Sequence, residues 1–299
     1  MQTPVMTHTL TGSELGGLVI GPLLAEGGMG SIYQAYRLGS SEMLALKVML
    51  PEYAEDKELR ERFIREARVM QSLKHPHIMP VYESGEDNGV LYFVMPFVRG
   101  PTVFDLLERR RFSPLTAWQI LSPAAEALDY AHSLGVIHRD IKPGNLLVEA
   151  RGKGNYVYLL DFGLSKLKGA KTLTRTGMTL GTPHYMAPEQ VLAKPPTLQT
   201  DVYSLGIVAY ELLLGRLPFV AKKPQDIAFK HVHDVVPIPS DLRSDFPKSL
   251  EPVLLRALEK SPMDRFKTAG EFRIAYAHAV EEIESAARRV EYWADPVKI

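Results

Sequence analysis

The sequence predicts an α+β fold with two lobes, a small antiparallel-sheet lobe with one helix followed by a larger, mainly helical lobe. Two observations lead to this prediction. Short strand-like runs separated by glycine-containing turns fill residues 18–98, whereas apolar residues recur at helical spacing beyond residue 100. The short connector at 96–100 predicts a cleft, and clefts between lobes commonly bind ligands.

The small lobe is expected to span residues 18–98, after a polar, flexible tail at 1–17. Its one helix is indicated by apolar residues at helical spacing from Leu59 to Met70, and His75-Pro76 ends it. Strands are predicted at 19–24, 31–36, 43–50, 79–84 and 90–97.

The large lobe is expected to span residues 99–280, and 281–299 are expected to be the end of the last helix and a tail. A hairpin is predicted at 146–160, turning on glycines. Helices are predicted at 102–110, 114–134, 201–215, 224–232, 248–260 and 268–290.

The composition of the 299 residues excludes several classes of function. There is no cysteine, which rules out disulfides and thiolate metal sites. Lysine plus arginine (35) equals aspartate plus glutamate (35), so we expect no nucleic-acid partner. No apolar stretch approaches the ~18–20 residues that span a bilayer, so we expect a cytoplasmic chain without a membrane segment. A membrane anchor elsewhere in a longer parent chain stays open.

A glycine-rich turn at residues 27–30 lies between the first two predicted strands. Such turns let backbone N–H groups approach phosphates, because no side chain blocks them. Plain hairpin turns have the same composition, so this segment alone leaves both interpretations open.

Lys47 lies on the third predicted strand, seventeen residues after Gly30. A lysine on a strand usually extends into solvent. Here its neighbours Leu44, Leu46 and Val48 are apolar, which predicts an interior face on which Lys47 needs a partner. Glu66, on the predicted helix, is the candidate.

Polar residues of several chemical types lie between two apolar runs at 136–148. Burying them is costly unless they are hydrogen-bonded or functional. Asp140, Asn145 and Asp161 supply a carboxylate base and two oxygen ligands suited to a hard cation such as magnesium. The alternative is a buried polar network without catalysis.

Taken together, the chain resembles the bacterial type of the eukaryotic-like protein serine/threonine kinase family over residues 18–280. Three segments favour the bacterial type: Gly27-Gly28-Met29-Gly30, Arg65-Glu66-Ala67 and residues 181–190. In the family, the last of these forms a platform for the peptide substrate, and it is called the platform below. The motifs that carry the resemblance are the glycine-rich loop, Ala45-Leu46-Lys47, His138-Arg139-Asp140, Asn145, Asp161-Phe162-Gly163 and Ala187-Pro188-Glu189.

The resemblance implies transfer of the γ-phosphate of ATP to serine or threonine hydroxyls of protein substrates. Lys47, paired with Glu66, would hold ATP phosphates. Asp140 would orient the acceptor hydroxyl and take its proton, while Lys142 would contact the γ-phosphate and favour Ser/Thr acceptors. The implied ATP-binding residues are Leu24, Ala25, Glu26, Gly27, Gly28, Met29, Gly30, Ser31, Ile32, Ala45, Lys47, Met95, Pro96, Val98 and Leu147.

The resemblance also implies a metal site and a regulated segment. Asn145 and Asp161 would hold one or two magnesium ions, with manganese as an alternative. Residues 161–189 would be an activation segment, with Arg139 as the receptor for a phosphothreonine. The hypothesis is activation by autophosphorylation, with four candidate threonines: first Thr174 and Thr176, then Thr172 and Thr179.

Structural pairings follow from the resemblance as well. Glu189 would form a buried ion pair with Arg265. An apolar spine would contain Met70, Val81, His138 and Phe162, with Asp201 at its base.

One departure and two alternative functions accompany these predictions, and the oligomeric state is open. The first glycine of the family's loop is Ala25 here, which predicts altered ATP affinity at most. A catalytically weak, kinase-like binding or scaffold module is the first alternative, although Lys47, Asp140, Asn145 and Asp161 are all present. A kinase of small molecules is the second, but that class lacks the platform at 181–189. A transient homodimer stays open.

Overall fold

The computed structural model describes residues 10–26, 30–49, 53, 55–108, 111–152, 154–162 and 183–294, with only the backbone for 288–294. The chain divides into two compact units. The first unit contains residues 1–74 and 79–99, and the second contains 75–78 and 100–299.

The first unit is a six-stranded antiparallel sheet with one helix. The strand order is β1-β2-β3-β4-β6-β5, so only the last pair departs from sequence order. The strands are β1 (Glu14–Leu15), β2 (Leu18–Glu26), β3 (Gly30–Arg37), β4 (Met43–Met49), β5 (Glu83–Asp87) and β6 (Val90–Pro96). The helix is α1 (Lys57–Ser72), whose N-terminus is capped by the side chain of Asp56.

The sheet begins earlier than predicted, because residues 10–17 are not part of a flexible tail. β1 pairs with the start of β2 through a turn at Gly16-Gly17. Both glycines have positive φ, 58° and 74°, which a tight two-residue hairpin turn requires. Leu15 is buried and Leu10 packs against the core of the sheet, so burial of these two leucines holds the segment in place.

The sheet buries residues on both faces. One face contributes an apolar cluster that includes Leu18, Tyr33, Leu46 and Val94. The opposite face is covered by α1, whose Phe63 ring lies 5.3 Å from the ring of Phe93. The second face can therefore hold polar groups only where α1 supplies partners for them.

The second unit is mainly helical, with a two-stranded hairpin of β7 (Leu146–Arg151) and β8 (Gly154–Leu159). In the described part of the chain, no helix is both long and apolar enough to cross a membrane. The helices are α2 (Val103–Leu107), α3 (Pro114–Ser133), α4 (Pro188–Val191), α5 (Leu198–Leu214), α6 (Pro224–His233), α7 (Pro239–Leu242), α8 (Glu251–Ala257) and α9 (Ala269–Ala294).

Helix α5 is the centre of this unit, because almost every one of its side chains is buried. It starts three residues earlier than predicted, and the Oγ1 of Thr200 accepts the backbone N–H of Thr197 at that end. It ends at Gly215, whose φ is 68°. Helix α8 is three residues shorter than predicted at each end. Just beyond it, the carbonyls of Glu259 and Lys260 accept hydrogen bonds from Arg265.

The predicted ion pair between Glu189 and Arg265 is present and buried. The guanidinium donates two hydrogen bonds to the carboxylate, at 2.8 and 2.9 Å. It also donates to three backbone carbonyls, so each of its nitrogens has a partner. Thr200 donates to the same carboxylate, and Arg265 and Thr200 together lower the pKa of Glu189 against the opposing effect of burial.

We predict that Arg265→Met lowers the free energy of unfolding by about 3–5 kcal/mol, because it leaves a buried carboxylate without its cation. Urea denaturation would measure the change. Arg273→Met is the matched control: Arg273 pairs with Glu126 in an exposed ion pair, so its loss should cost at most about 1 kcal/mol. Equal stability of the two variants would contradict the prediction.

Candidate active site

In the first unit, Lys47 and Glu66 form the predicted ion pair. The Nζ of Lys47 lies 3.2 Å from Oε1 of Glu66, and their side chains are 14% and 7% exposed. Helical spacing places Glu66 on the same buried face of α1 as Phe63 and Met70. The Nζ also lies 5.3 Å from the centre of the Phe93 ring. The cation is therefore held in one orientation on the sheet.

The apolar neighbours of Lys47 do not surround it. Leu44, Leu46 and Val48 alternate with Lys47 along β4 and point to the opposite face, into the apolar cluster. The predicted partner of Lys47 is present, but its apolar neighbours on β4 are not the reason. Lys47 needs a partner because α1 covers its own face of the sheet.

Several of the implied ATP-binding residues share one face of this sheet. Ala25 lies opposite Ile32, Ile32 lies opposite Lys47, and Ala45 lies opposite Met95. Directly paired residues of antiparallel strands point to the same side. These five side chains therefore form one continuous surface.

The remaining residues of the implied ATP set vary in exposure. Gly27, Gly28 and Met29 lie outside the described residues. Leu24 and Glu26 are exposed at the end of β2, Ser31 is buried, and Pro96 and Val98 are half-buried. Gly30 is required by the sheet itself, since a methyl group there would lie 2.5 Å from the carbonyl oxygen of Val48.

In the second unit, four of the predicted site residues come together. The Nζ of Lys142 lies 2.9 Å from Oδ2 of Asp140. The Nδ2 of Asn145 donates to the Asp140 carbonyl at 2.7 Å and to Oδ2 at 3.2 Å. The backbone carbonyl of Asn145 accepts the backbone N–H of Leu160, and this bond brings Asn145 beside Asp161. The Asp140 carboxylate is only 18% exposed and is oriented by an amide and an ammonium group.

The loop that carries Asp140 is held by the buried carboxylate of Asp201. Its two oxygens accept the backbone N–H groups of His138 and Arg139, each at 2.8 Å. Arg139 has a φ of 67°, a conformation that costs free energy in a residue with a side chain. The two hydrogen bonds stabilise that conformation and thereby set the direction of the following Asp140.

His138 is neutral and has one defined tautomer. Its Nδ1 accepts the backbone N–H of Asp140 at 3.2 Å, so Nε2 carries the proton and donates to the Leu160 carbonyl at 2.8 Å. Burial lowers the pKa of His138, against the opposing effect of Asp201. The imidazole ring lies 4.6 Å from the ring of Phe162. His138 thus joins the Asp140 loop to the segment that carries Asp161.

Two buried nitrogens of Arg139, Nε and Nη1, have no hydrogen-bonding partner among the described residues, which exclude 163–182. Burial lowers the pKa of Arg139, and Asp201 opposes this effect. A guanidinium stays protonated in proteins. With respect to the described residues, the side chain has two donors that an anion could engage.

The donor set beside Asp140 fits a magnesium ion bound together with phosphates. Because Nδ2 of Asn145 donates to Asp140, its Oδ1 is the atom that remains for a cation. With the Asp161 carboxylate it provides two oxygen ligands. Among the described residues, no cluster of three or more His, Cys, Asp or Glu side chains could hold a metal alone. Magnesium typically takes one or two carboxylates and completes its shell with phosphates and water.

The segment at 183–190 is tied to both α5 and the Asp140 loop. Tyr185 donates to Glu211 at 2.6 Å, and its carbonyl accepts the hydroxyl of Ser204. Gln190 donates to the Arg139 carbonyl at 2.9 Å and accepts the N–H of Ala187. The candidate threonines, Gly163, Gly181 and Thr182 lie outside the described residues.

Comparison with known proteins identifies the family. Residues 19–276 match the protein kinase domain. The chain belongs to the protein kinase family. It is 36% identical to the serine/threonine-protein kinase PknH of Mycobacterium tuberculosis over 274 residues, covering 91% of this chain and 43% of PknH. It is 39% identical to PknJ of the same organism over 279 residues, covering 92% of this chain and 47% of PknJ.

Solved structures agree with the fold. The kinase domain of Mycobacterium tuberculosis PknI matches with a TM-score of 0.72 and 29% identity, covering 91% of this chain and 98% of that domain. This confirms the predicted α+β kinase fold. The chain spans less than half the length of PknH and PknJ. The named relatives support serine/threonine kinase function, and the family implies use of ATP and a divalent metal.

Sequence reasoning assigned no role to several residues that hydrogen-bond around the candidate site. They are His132, Ser204 and Glu211. Tyr185 and Gln190 lie in the motif at 181–190, but that motif does not indicate their bonds to Glu211 and Arg139. A histidine or serine on a helix has no distinctive spacing, so no local signal marks His132 or Ser204. Glu211 interrupts an apolar run in α5, and an interruption of that kind is the one usable indication of a buried partner.

A fully buried histidine, His231, lies behind the 183–190 segment. Its Nδ1 is 2.9 Å from the hydroxyl of Tyr203, and its ring lies 5.0 Å from that of Phe219. Burial, together with the nearby charge of Lys260, lowers the pKa of His231 to about 3, against an ordinary value of 6.5. Lys260 donates to the His231 carbonyl at 2.8 Å, and burial lowers its pKa to about 8.

We predict that His231 makes the fold sensitive to acid. As pH falls from 6.5 towards about 3, the unfolded chain binds a proton that the folded chain excludes, so the free energy of unfolding decreases. Relative to His231→Asn, which keeps a partner for Tyr203, the decrease should approach about 1.4 kcal/mol per pH unit. Urea denaturation at a series of pH values would measure it, and parallel pH curves for the two proteins would disprove it.

Proposed function

We propose that this chain is an ATP-dependent protein kinase that phosphorylates serine and threonine hydroxyls of proteins. The observation that carries the proposal is the Asp140 carboxylate, held by Lys142 at 2.9 Å and by Asn145 at 3.2 Å. A carboxylate oriented in this way can align a hydroxyl and accept its proton. Lys142 places a positive charge where the γ-phosphate would arrive and favours Ser/Thr acceptors.

The ATP-binding residues are assigned from the family resemblance, unit by unit. In the first unit Lys47, whose ammonium is oriented by Glu66, would bind the phosphates, and the surface formed by Ala25, Ile32, Ala45 and Met95 would contact the adenine. For the second unit, the resemblance assigns Leu147 to the adenine. The backbone of Pro96 and Val98 would hydrogen-bond the base; proline lacks the N–H, so there its carbonyl serves.

Asn145 and Asp161 would hold one or two magnesium ions, with manganese as a substitute. The metal, when bound, supplies positive charge that neutralises the transferring phosphoryl group. Since that transition state is loose, the protein contributes mainly position and charge. Asp201 and His138 would serve this purpose by holding the backbone on either side of Arg139.

We predict that Asp140→Asn lowers phosphate transfer from labelled ATP to a generic protein substrate by about 10²–10⁴-fold, because the proton acceptor is lost. Asp226→Asn, an exposed aspartate on α6, should retain full activity. Equal transfer by Asp140→Asn and wild type would refute the proposed role. No transfer by the wild type with magnesium or manganese would favour the binding-module alternative.

We also propose activation by autophosphorylation within residues 161–189. Two buried nitrogens of Arg139 support this, because they have no partner among the described residues and a phosphothreonine, with about −1.5 to −2 charge, would accept their hydrogen bonds. The candidates remain Thr174 and Thr176, then Thr172 and Thr179.

We predict that mass spectrometry after incubation with ATP finds phosphate on Thr174 or Thr176, and that changing both to alanine lowers activity severalfold. Arg139→Gln should make activity insensitive to the phosphorylation state. Full activity with all four threonines replaced by alanine would contradict activation by autophosphorylation.

The cytoplasmic location and a transient homodimer stay predictions. ATP-dependent transfer to proteins is consistent with the first. Size-exclusion chromatography with light scattering, with and without ATP, would test the second.

A further inference from the structure

Two buried atoms on α3 have no hydrogen-bonding partner among the residues that the structure describes: Oδ1 of Asp129 and Nδ1 of His132. Each residue uses its other polar atom elsewhere. Buried polar atoms in proteins are nearly always hydrogen-bonded, either to protein or to ordered water. Two such atoms close together on one helix therefore indicate a shared partner.

His132 is connected to the catalytic loop. Its Nε2 lies 2.8 Å from Oδ2 of Asp201, and its side chain is 4% exposed. Asp201 is an acceptor for two backbone N–H groups of that loop, so the proton between it and the imidazole lies on Nε2. Nδ1 is then the ring nitrogen that remains for a second partner.

Asp129 is connected to α9. Its carboxylate faces the backbone N–H groups of Ala269 and Gly270, the first two residues of that helix. Its Oδ2 lies so close to Gly270 that a methyl group there would be 2.3 Å away. These contacts account for one oxygen and leave Oδ1 as a second acceptor.

The two atoms are neighbours. Residues three apart on a helix have Cβ atoms about 5–6 Å from each other. Burial raises the pKa of Asp129, and His132 is among the nearby groups that oppose this effect, which agrees with the proximity. A water molecule can hydrogen-bond to both atoms at once, which suits a polar site of this size.

We propose that one buried water molecule bridges Asp129 Oδ1 and His132 Nδ1, and that Asp129 and His132 are positioning residues for Asp140. The connection runs from the start of α9 through Asp129, the water and His132 to Asp201, which holds the Arg139 backbone. The positioning role rests on the proposed kinase function. The water site does not.

A high-resolution crystal structure of the chain tests the water directly. We expect an ordered water within hydrogen-bonding distance of both atoms in the wild type, and its loss in His132→Gln. Glutamine keeps an N–H that can reach Asp201 but has no atom equivalent to Nδ1. An empty site, or direct contact between Asp129 and His132, would overturn the proposal.

Kinetics test the positioning role. We expect His132→Gln and Asp129→Ala each to lower kcat about tenfold, with KM for ATP changed by less than about twofold, because alignment and not ATP binding is affected. Asp129→Asn keeps a polar group for the water and should retain near wild-type kcat. The double variant, Asp129→Ala with His132→Gln, should be no slower than the slower single variant, since both remove one bridge.

His278→Gln, at an exposed histidine on α9, is the matched control and should be unaffected. Multiplying losses in the double variant, or equal losses in Asp129→Asn and Asp129→Ala, would overturn the positioning role. If Asp129→Ala does not fold, the comparison of His132→Gln with Asp129→Asn decides. An inactive wild type would refute the proposed function, while the crystallographic test of the water would stand.

Discussion

Asp201 is a fully buried carboxylate, and the geometry of the candidate catalytic loop depends on it. A buried charge is stable only where hydrogen bonds replace its hydration. Here the two oxygens accept two backbone N–H groups and one imidazole N–H. These bonds hold Arg139 at positive φ, a conformation the residue would not adopt alone. Because Arg139 is held in this conformation, the side chain of the next residue, Asp140, is oriented as well.

Each unit contains a buried cationic side chain that is held by a buried carboxylate. In the first, Lys47 is tolerated under α1 because Glu66 is buried with it. In the second, Arg265 is tolerated at 0% side-chain exposure because Glu189 and three carbonyls accept its hydrogen bonds. Once removed from water, each charged side chain is tolerated only beside its partner. The ion pair therefore fixes where the side chain lies more strongly than it adds to the free energy of unfolding. Precise placement is what phosphoryl transfer requires of a protein.

The predicted elements were most reliable where a local signal was strong. The helical spacing in α1 and the turn-bounded strands of the first unit are of this kind. The errors occurred where distant residues decide. β1 forms because Leu10 and Leu15 find a core made by other strands. Helix α8 stops at Ala257, and the carbonyls of Glu259 and Lys260 just beyond it are bound by Arg265.

The sequence by itself determined the family and the division of the chain into a strand-rich and a helix-rich part. It also marked Lys47, Asp140, Asn145 and Asp161 as candidate site residues, because they occur in motifs with distinctive order and spacing. Only the tertiary structure decided which polar residues support them. His132 and Asp129 look like ordinary helical residues along the chain. Their importance arises from burial next to a partner far away in sequence, and no local pattern encodes that contact.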